Sequence, residues 1–358
     1  MKLVVFGLSV SSSWGNGHAT LWRGLIGALA AQGHTVVFFE RDLPYYAAHR
    51  DLAELSGGRL VLYGAWADVV NAARLELADA DVALVTSYCP DGVAAADELL
   101  ESPVPLRAFY DLDTPMTLAR VRAGDTVPYI GSRGLADFDL VLSYTGGAAL
   151  AELSELLGAR RVAPLYGSVD PAVHRPVAAQ ERFRADLSYL GTYAEDRQDA
   201  LQELFVDPAR RLPEHRFLIG GAQYPDAFPW ADNIYFVHHL PPAEHPAFYA
   251  SSRLTLNVTR APMAMLGYCP SGRLFEAAAC GVPILSDAWE GLEEFFVPGD
   301  EILVAHASPD TIEALQRDDG ELARVARAAR ERVLSDHTAE RRATELVGLL
   351  ERATSVEA

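Results

Sequence analysis

Short β-branched runs alternate with Ala/Leu-rich amphipathic segments from the first residues of this chain, and few folds accommodate that alternation. Strands are predicted at Leu3–Leu8, Thr35–Glu40, Leu60–Tyr63, Val82–Thr86, Leu106–Tyr110, Leu140–Ser143 and Arg161–Pro164. Apolar runs separated by helical segments are the pattern of a parallel sheet covered on both faces. The pattern stops at Val169-Asp-Pro-Ala-Val-His-Arg-Pro176, where two prolines and a loss of periodicity mark a domain boundary. It restarts with strands at Leu187–Leu190, Arg216–Ile219, Ile234–Phe236, Leu254–Asn257, Val282–Ser286 and Glu301–Val304, with helices between them such as Asp196–Phe205 and Gly272–Cys280. Three final helices are expected at Thr311–Gln316, Glu321–Leu334 and Thr338–Glu351, where apolar residues recur at helical spacing.

A chain of 358 residues is too long for one ordinary core, which fits two domains. The reading is an α/β protein of two doubly wound, Rossmann-like domains, residues 1–168 and 169–335, with a C-terminal helix over 336–358 packing back on the first. Such sheets bind ligands beyond the carboxyl ends of their strands, so the site is expected in a cleft where the two domains face each other.

Bulk charge narrows the partners. A net charge of −19 repels phosphate backbones and anionic lipid, so no nucleic-acid partner is expected. Only Cys89, Cys269 and Cys280 occur, with no CxxC pair, which argues against a disulfide framework and a structural zinc site and for a cytoplasmic protein. The apolar run Leu3–Val10 lacks a cleavage pattern and reads as a buried first strand, and no stretch approaches the ~18 consecutive apolar residues of a membrane span. No stable membrane insertion is expected.

The segment Cys269-Pro-Ser-Gly-Arg-Leu-Phe-Glu276 carries the most chemistry. Ser271 and Gly272 open a helix that stops at Gly281, and the free N–H groups and positive dipole of a helix start suit a pyrophosphate. Arg273 adds a fixed charge there. Glu276, about one and a half turns further in, is placed to accept hydrogen bonds from two vicinal ribose hydroxyls. The following strand ends in Asp287, a polar group at a carboxyl end. Taken alone, each feature describes an ordinary capped helix packed on a strand. Arg260 lies beyond the carboxyl end of Leu254–Asn257, and arginine meets phosphate oxygens in pairs.

In combination these residues resemble the donor motif of retaining GT-B glycosyltransferases, where a glutamate, an Ala-rich helix, Gly-x-Pro and an apolar strand follow in order. Ser271-Gly-Arg-Leu-Phe-Glu-Ala-Ala-Ala-Cys-Gly-Val-Pro-Ile-Leu-Ser-Asp287 is more closely similar to the CgeB-like, spore-maturation-type glycosyltransferase family. Asp111-Leu-Asp-Thr-Pro115, Tyr189-Leu-Gly-Thr-Tyr193 with Asp196-Arg-Gln198, His245-Pro246 with Phe248-Tyr249, and Thr255–Arg260 support that resemblance. It implies a GT-B fold and transfer of a hexosyl group from a UDP- or dTDP-sugar to a hydroxyl acceptor, with no cofactor and no metal. It also implies that Gly191 and Thr192 border the donor phosphates and that Arg197 and Arg260 contact them. In the wider retaining class a second glutamate precedes the ribose-binding one by eight positions and sits near the donor sugar; here that position is Tyr268.

The loop Ser11-Ser-Ser-Trp-Gly-Asn-Gly-His18 is glycine-rich but not a G-x-G-x-x-G turn, and Glu40 matches the acidic partner of a dinucleotide site only loosely, so an NAD site is rejected. In GT-B enzymes this loop, here with Gly17 and His18, faces the donor, and a histidine there contacts the sugar or accepts the acceptor proton. Asp111-Leu-Asp113 has the form of the metal-binding pair of GT-A enzymes. The pair follows the strand Leu106–Tyr110 and precedes Thr114-Pro115, so only one carboxylate need reach the cleft, and Asp113 is expected there as base or hydroxyl acceptor, with Asp111 as a turn residue. His238, His239 and His245 lack the spacing of a ligand motif and read as loop histidines, with His245 near the nucleotide base. Two other functions share this pocket: a GT-B-fold sugar-nucleotide epimerase, and a non-catalytic nucleotide-sugar-binding protein.

Overall fold

The structure, a computed structural model, describes residues 1–52 and 54–355. In chain order the elements are β1 (Lys2–Gly7), α1 (His18–Ala31), β2 (Thr35–Arg41), α2 (Pro44–Ala47), β3 (Gly58–Tyr63), α3 (Trp66–Ala78), β4 (Val82–Thr86), α4 (Gly92–Glu101), β5 (Leu106–Asp111), α5 (Thr114–Ala123), β6 (Leu140–Ser143), α6 (Ala148–Leu157) and β7 (Val162–Pro164). There follow β8 (Ala185–Leu190), α7 (Gln198–Leu201), α8 (Asp207–Arg211), β9 (Phe217–Gly221), β10 (Ile234–His238), α9 (His245–Ala250), β11 (Ser252–Asn257), α10 (Ala261–Leu266), α11 (Gly272–Cys280), β12 (Ile284–Asp287), β13 (Leu303–Ala305), α12 (Ser308–Gln316), α13 (Asp319–Asp336) and α14 (Ala339–Ser355). The chain forms two compact units, Met1–Ser168 with Ala339–Ala358, and Val169–Thr338.

The first unit is built on a seven-stranded parallel sheet in the order β3-β2-β1-β4-β5-β6-β7. Its central strands are buried along almost their whole length, as β4 shows with Val82 to Thr86 all inaccessible. That is the consequence of helices on both faces, and it explains why these strands read as unbroken apolar runs. Trp22 of α1 packs edge-on against Phe38 and Tyr110 beneath the sheet. α14 returns from the far end of the chain to pack against α1, burying Ala343, Leu346 and Leu350. Gln32 Nε2 donates to the Glu340 carbonyl at 3.2 Å, and Arg342 Nη2 to the Gly167 carbonyl at 3.1 Å.

The second unit repeats the architecture with six parallel strands ordered β10-β9-β8-β11-β12-β13. Its core gathers Leu187, Tyr189, Phe205, Phe217, Ile219 and Leu254. β12 begins at Ile284 rather than at Val282, because Pro283 has no N–H for the ladder and contributes only its carbonyl, to Thr255 N. The helix expected over Asp196–Phe205 is broken into a 3₁₀ turn at Glu195–Arg197, α7, a π turn at Gln202–Val206 and α8. Pro208 cannot donate back to Leu204; the Leu204 carbonyl accepts from the Thr311 hydroxyl and the Glu203 carbonyl from the Ser308 hydroxyl, so the irregular turn is satisfied by α12.

In both sheets the chain runs outward from the first strand, then returns to its other side. The resulting switch points lie between β1 and β4 in the first unit and between β8 and β11 in the second. Strand ends beside a switch point splay apart, leaving a crevice at their carboxyl ends.

Candidate functional site

In the first unit the residues at the switch point are His18, Ser87 and Asp113. Glu40, completely buried at the end of β2, shapes the loop that leads to His18. It accepts from the Ser9 and Ser11 hydroxyls at 2.9 and 2.6 Å and from the N–H groups of Val10 and Ser11 at 2.7 and 2.9 Å. Its carboxylate is therefore occupied by protein. Asn16 Oδ1 accepts the Ala19 N–H at 3.0 Å, which caps α1 and leaves Gly17 exposed at the helix start.

His18 Nε2 lies 2.8 Å from Asp113 Oδ2, and the Ser87 hydroxyl donates to that same oxygen at 2.9 Å. His18 Nδ1 is buried without a hydrogen-bond partner. Asp113 keeps 28% of its side chain accessible, whereas Asp111 is fully buried, with Oδ1 accepting the Asp113 N–H at 3.0 Å and Oδ2 unpartnered. Burial, reinforced by repulsion from Asp113, pushes Asp111 up to about 7. β5 ends at Asp111 and Asp113 takes the cap position of α5, so the chain turns between the two carboxylates and parts them: one open beside His18, one sealed behind it. Tyr88, edge-on to His18, holds φ +56°, a strained conformation for a bulky side chain beside the pair.

In the second unit Gly191 and Thr192 follow β8, Arg260 follows β11, and α11 starts at Gly272. Ser271 occupies the cap position of α11, but its hydroxyl accepts from Arg273 Nε at 3.0 Å instead of from the helix backbone. The serine cap expected from sequence is absent, because a neighbouring guanidinium competes for the same oxygen; the first N–H groups of α11 have no side-chain acceptor. Arg273 Nη1 donates to the Leu190 carbonyl at 2.6 Å and Nη2 to the Val258 carbonyl at 3.0 Å, so it ties together the ends of β8 and β11. A Cβ at Gly191 would lie 2.8 Å from both Arg273 Nη1 and the Tyr189 hydroxyl, so any side chain there would have to displace the Arg273 guanidinium or the Tyr189 ring.

Arg197 is buried, donating to the Tyr189 hydroxyl and to the Thr192 carbonyl at 3.0 and 2.9 Å. Arg260 is the more open cation, paired with Asp196 at 3.0 Å and with 39% of its side chain accessible. Asp287 accepts from Thr259 N and Oγ1, both at 2.9 Å, so it shapes the β11 loop. Tyr268, at φ +49°, lays its ring over Gly291, where a Cβ would come within 2.5 Å of it.

Glu276 is buried on α11, not on a solvent face. Its Oε2 lies 3.5 Å from His245 Nδ1 and 3.9 Å from His174 Nε2. Burial would raise this carboxyl, but His174, His245 and Arg273 outweigh it and hold Glu276 down at about 2. His245 is therefore more than a loop histidine, and it sits beside the proposed ribose contact. No local pattern announces His174, which lies in the Pro-interrupted stretch at the domain boundary, where no periodicity marks it. One ligand atom each from His174, His245 and Glu276 falls within 4.8 Å of the others, a donor set chemically suited to a divalent metal. The same holds for Ser87, a lone serine after a strand.

Residues 197–348 match the family model described as glycosyl transferase-like. No curated protein sequence matches the chain. Among solved structures, a sucrose-phosphate synthase from Thermosynechococcus elongatus superposes with a TM-score of 0.72 at 15% identity, over 99% of each chain. Anabaena HepE, in complex with UDP and glucose, gives 0.70 at 12% identity over 98% of this chain and 100% of its own. The catalytic domain of starch synthase IV from Arabidopsis thaliana, bound to ADP and acarbose, gives 0.66 at 13% identity over 99% of each. At such identities the likeness is one of fold. Two parallel-sheet, Rossmann-like units and these neighbours give the chain the GT-B fold.

Proposed function

We propose that this protein transfers a hexosyl group from a nucleoside diphosphate sugar, UDP- or dTDP-linked, to a hydroxyl acceptor, with retention at the anomeric carbon. The observation that carries the reading is α11: a helix start without a side-chain cap at the switch point, followed by a buried, ionised glutamate. The N–H groups of Gly272 and Arg273 and the cation of Arg260 face the charge that develops on a departing diphosphate, a role filled by a metal ion in other transferases. Glu276 accepts from the ribose hydroxyls. Arg197 and Arg273 act one step back, by fixing the Leu190–Thr192 and Val258 backbone that borders the phosphates.

In the first unit Asp113 orients His18 through Nε2, and together they receive the acceptor proton or bind a sugar hydroxyl. Ser87 holds the carboxylate in place. The segments Asp111–Pro115, Tyr189–Tyr193 and Ser271–Asp287 favour a CgeB-like member of the class.

The test is thermal stabilisation by UDP, dTDP, GDP, ADP and CMP, since a ligand that binds only the folded state raises the melting temperature by mass action. UDP or dTDP is expected to give the largest shift, and the two-hydroxyl role of Glu276 favours UDP, because dTDP lacks the 2′-hydroxyl. No shift with any nucleotide would refute the reading, and a largest shift with ADP would refute the base assignment. Incubation with the stabilising sugar nucleotide should release the free diphosphate only when an acceptor is supplied.

A further inference from the structure

The groups around Glu276 are paired in an unusual way. His174 is 1% exposed, and neither ring nitrogen has a hydrogen-bond partner, although a buried imidazole ordinarily finds one. His245 Nε2 donates to the Leu240 carbonyl at 3.2 Å; because a carbonyl only accepts, this nitrogen carries the proton and the ring is fixed with Nδ1 towards Glu276. The Tyr249 hydroxyl, from the same helix α9, is also buried and unpartnered. The two imidazoles come from separate segments and both approach one carboxylate oxygen, Oε2, while Oε1 accepts no hydrogen bond among the described residues.

We propose that His174 and His245 are positioning residues: they hold Oε2 of Glu276 so that Oε1 is presented to the 2′- and 3′-hydroxyls of a bound ribonucleoside diphosphate. The inference rests on reading the second unit as a nucleotide-sugar site. The pair acts by geometry: two imidazoles beside one oxygen, at 3.5 and 3.9 Å, restrict the rotamer of a long side chain and leave Oε1 as the acceptor for two vicinal hydroxyls. Asp170 near His174, and Tyr249, Arg273 and Cys280 near Glu276, are the other titratable groups around the cluster.

The consequence is selectivity for ribose, which is measurable as the ratio of the dissociation constants of UDP and 2′-deoxy-UDP, by calorimetry on the full chain. The wild type should bind UDP at least about tenfold more tightly, the discrimination expected when a site built for a hydroxyl meets a ligand lacking it. Glu276→Gln, His174→Leu and His245→Leu should each bring the ratio close to one, whereas a merely structural loss would weaken both nucleotides equally. His174→Gln and His245→Asn, which return a nitrogen near the lost Nε2 and Nδ1, should restore part of the ratio. The swapped variants His174→Asn and His245→Gln should not, and they keep the proposal open to refutation if the leucine variants fail to fold. A wild-type ratio retained in folded histidine variants would overturn the proposal. So would a stoichiometric metal whose removal by chelator abolishes the ratio, because the ion would then hold Glu276. If wild-type protein binds both nucleotides equally, the ribose reading itself fails; if Glu276→Gln alone loses the ratio, that reading stands and the histidine clamp falls.

Discussion

Asp111 and Glu276 are both buried carboxylates, yet their surroundings push them in opposite directions. Asp111 has one backbone N–H and a like charge nearby, so burial prevails and it rises from 3.8 to about 7. Glu276 has two imidazoles and a guanidinium, which overcome burial and lower it from 4.5 to about 2. For Asp111 the folded state holds its proton more tightly than the unfolded state, so stability falls as pH rises across the window from 3.8 to about 7. At about 1.4 kcal/mol per pH unit, the penalty by pH 8 reaches at most about 4 kcal/mol. Asp111→Asn keeps the acceptor for the Asp113 N–H and cannot ionise. It should be close to neutral at pH 4 and stabilising by about 2–4 kcal/mol at pH 8, read from urea unfolding at both pH values. An equal effect at both would show that Asp111 does not titrate in this window. The sequence placed Asp111 and Asp113 just past a strand, because the apolar run before them and Thr114-Pro115 after them are local signals; it could not show that the strand runs on to Asp111 while Asp113 caps α5, nor which hydroxyl or imidazole would meet the open carboxylate.

At the scale of the element, α11 was readable from end to end: Pro270-Ser271-Gly272 opens it, and Gly281, at φ +78°, closes it in the left-handed conformation that favours glycine. The task of Arg273 was not readable. A charged residue in the first turn of a phosphate-binding helix suggests a ligand contact, but the side chain turns back to bridge the carbonyls of Leu190 and Val258. Those acceptors are 83 and 15 residues away in the chain, so no local pattern announces them. Lysine at this position presents one ammonium to a site that needs a planar fork. Arg273→Lys should leave one of the two carbonyls unsatisfied and cost about 1–3 kcal/mol, a drop of roughly 2–10 °C in melting temperature for a unit of this size. A melting temperature unchanged within a degree would show that the bridge contributes nothing.

At the scale of the whole molecule, the chain leaves the first unit at Ser168 and re-enters it at Ala339, so the last helix belongs to the domain formed first. Val169 N donates to the His337 carbonyl at 3.0 Å, where the outgoing and returning strands of chain pass each other. A stop after Thr338 would uncover the face of α1 on which Ala343, Leu346 and Leu350 are buried. Losing two fully buried leucines removes about 3–6 kcal/mol. The truncated protein should show an earlier melting transition and faster proteolysis within residues 1–168, with the transition of the Val169–Thr338 unit unchanged. Identical melting of both units would mean that α14 adds no stability.

The sequence by itself determined the two parallel α/β sheets, nearly every strand, the helix α11 and the residues that line the strand ends, because hydrophobic periodicity and helix stop signals act over a few residues. Tertiary structure decided which partners those residues would take. The pairing of His18 with Asp113, the convergence of His174 and His245 on Glu276, the bridge made by Arg273 and the π turn settled by α12 all join groups far apart in the chain. Such contacts are set by sheet order and by the return of the chain to its switch points, which no local pattern of residues encodes.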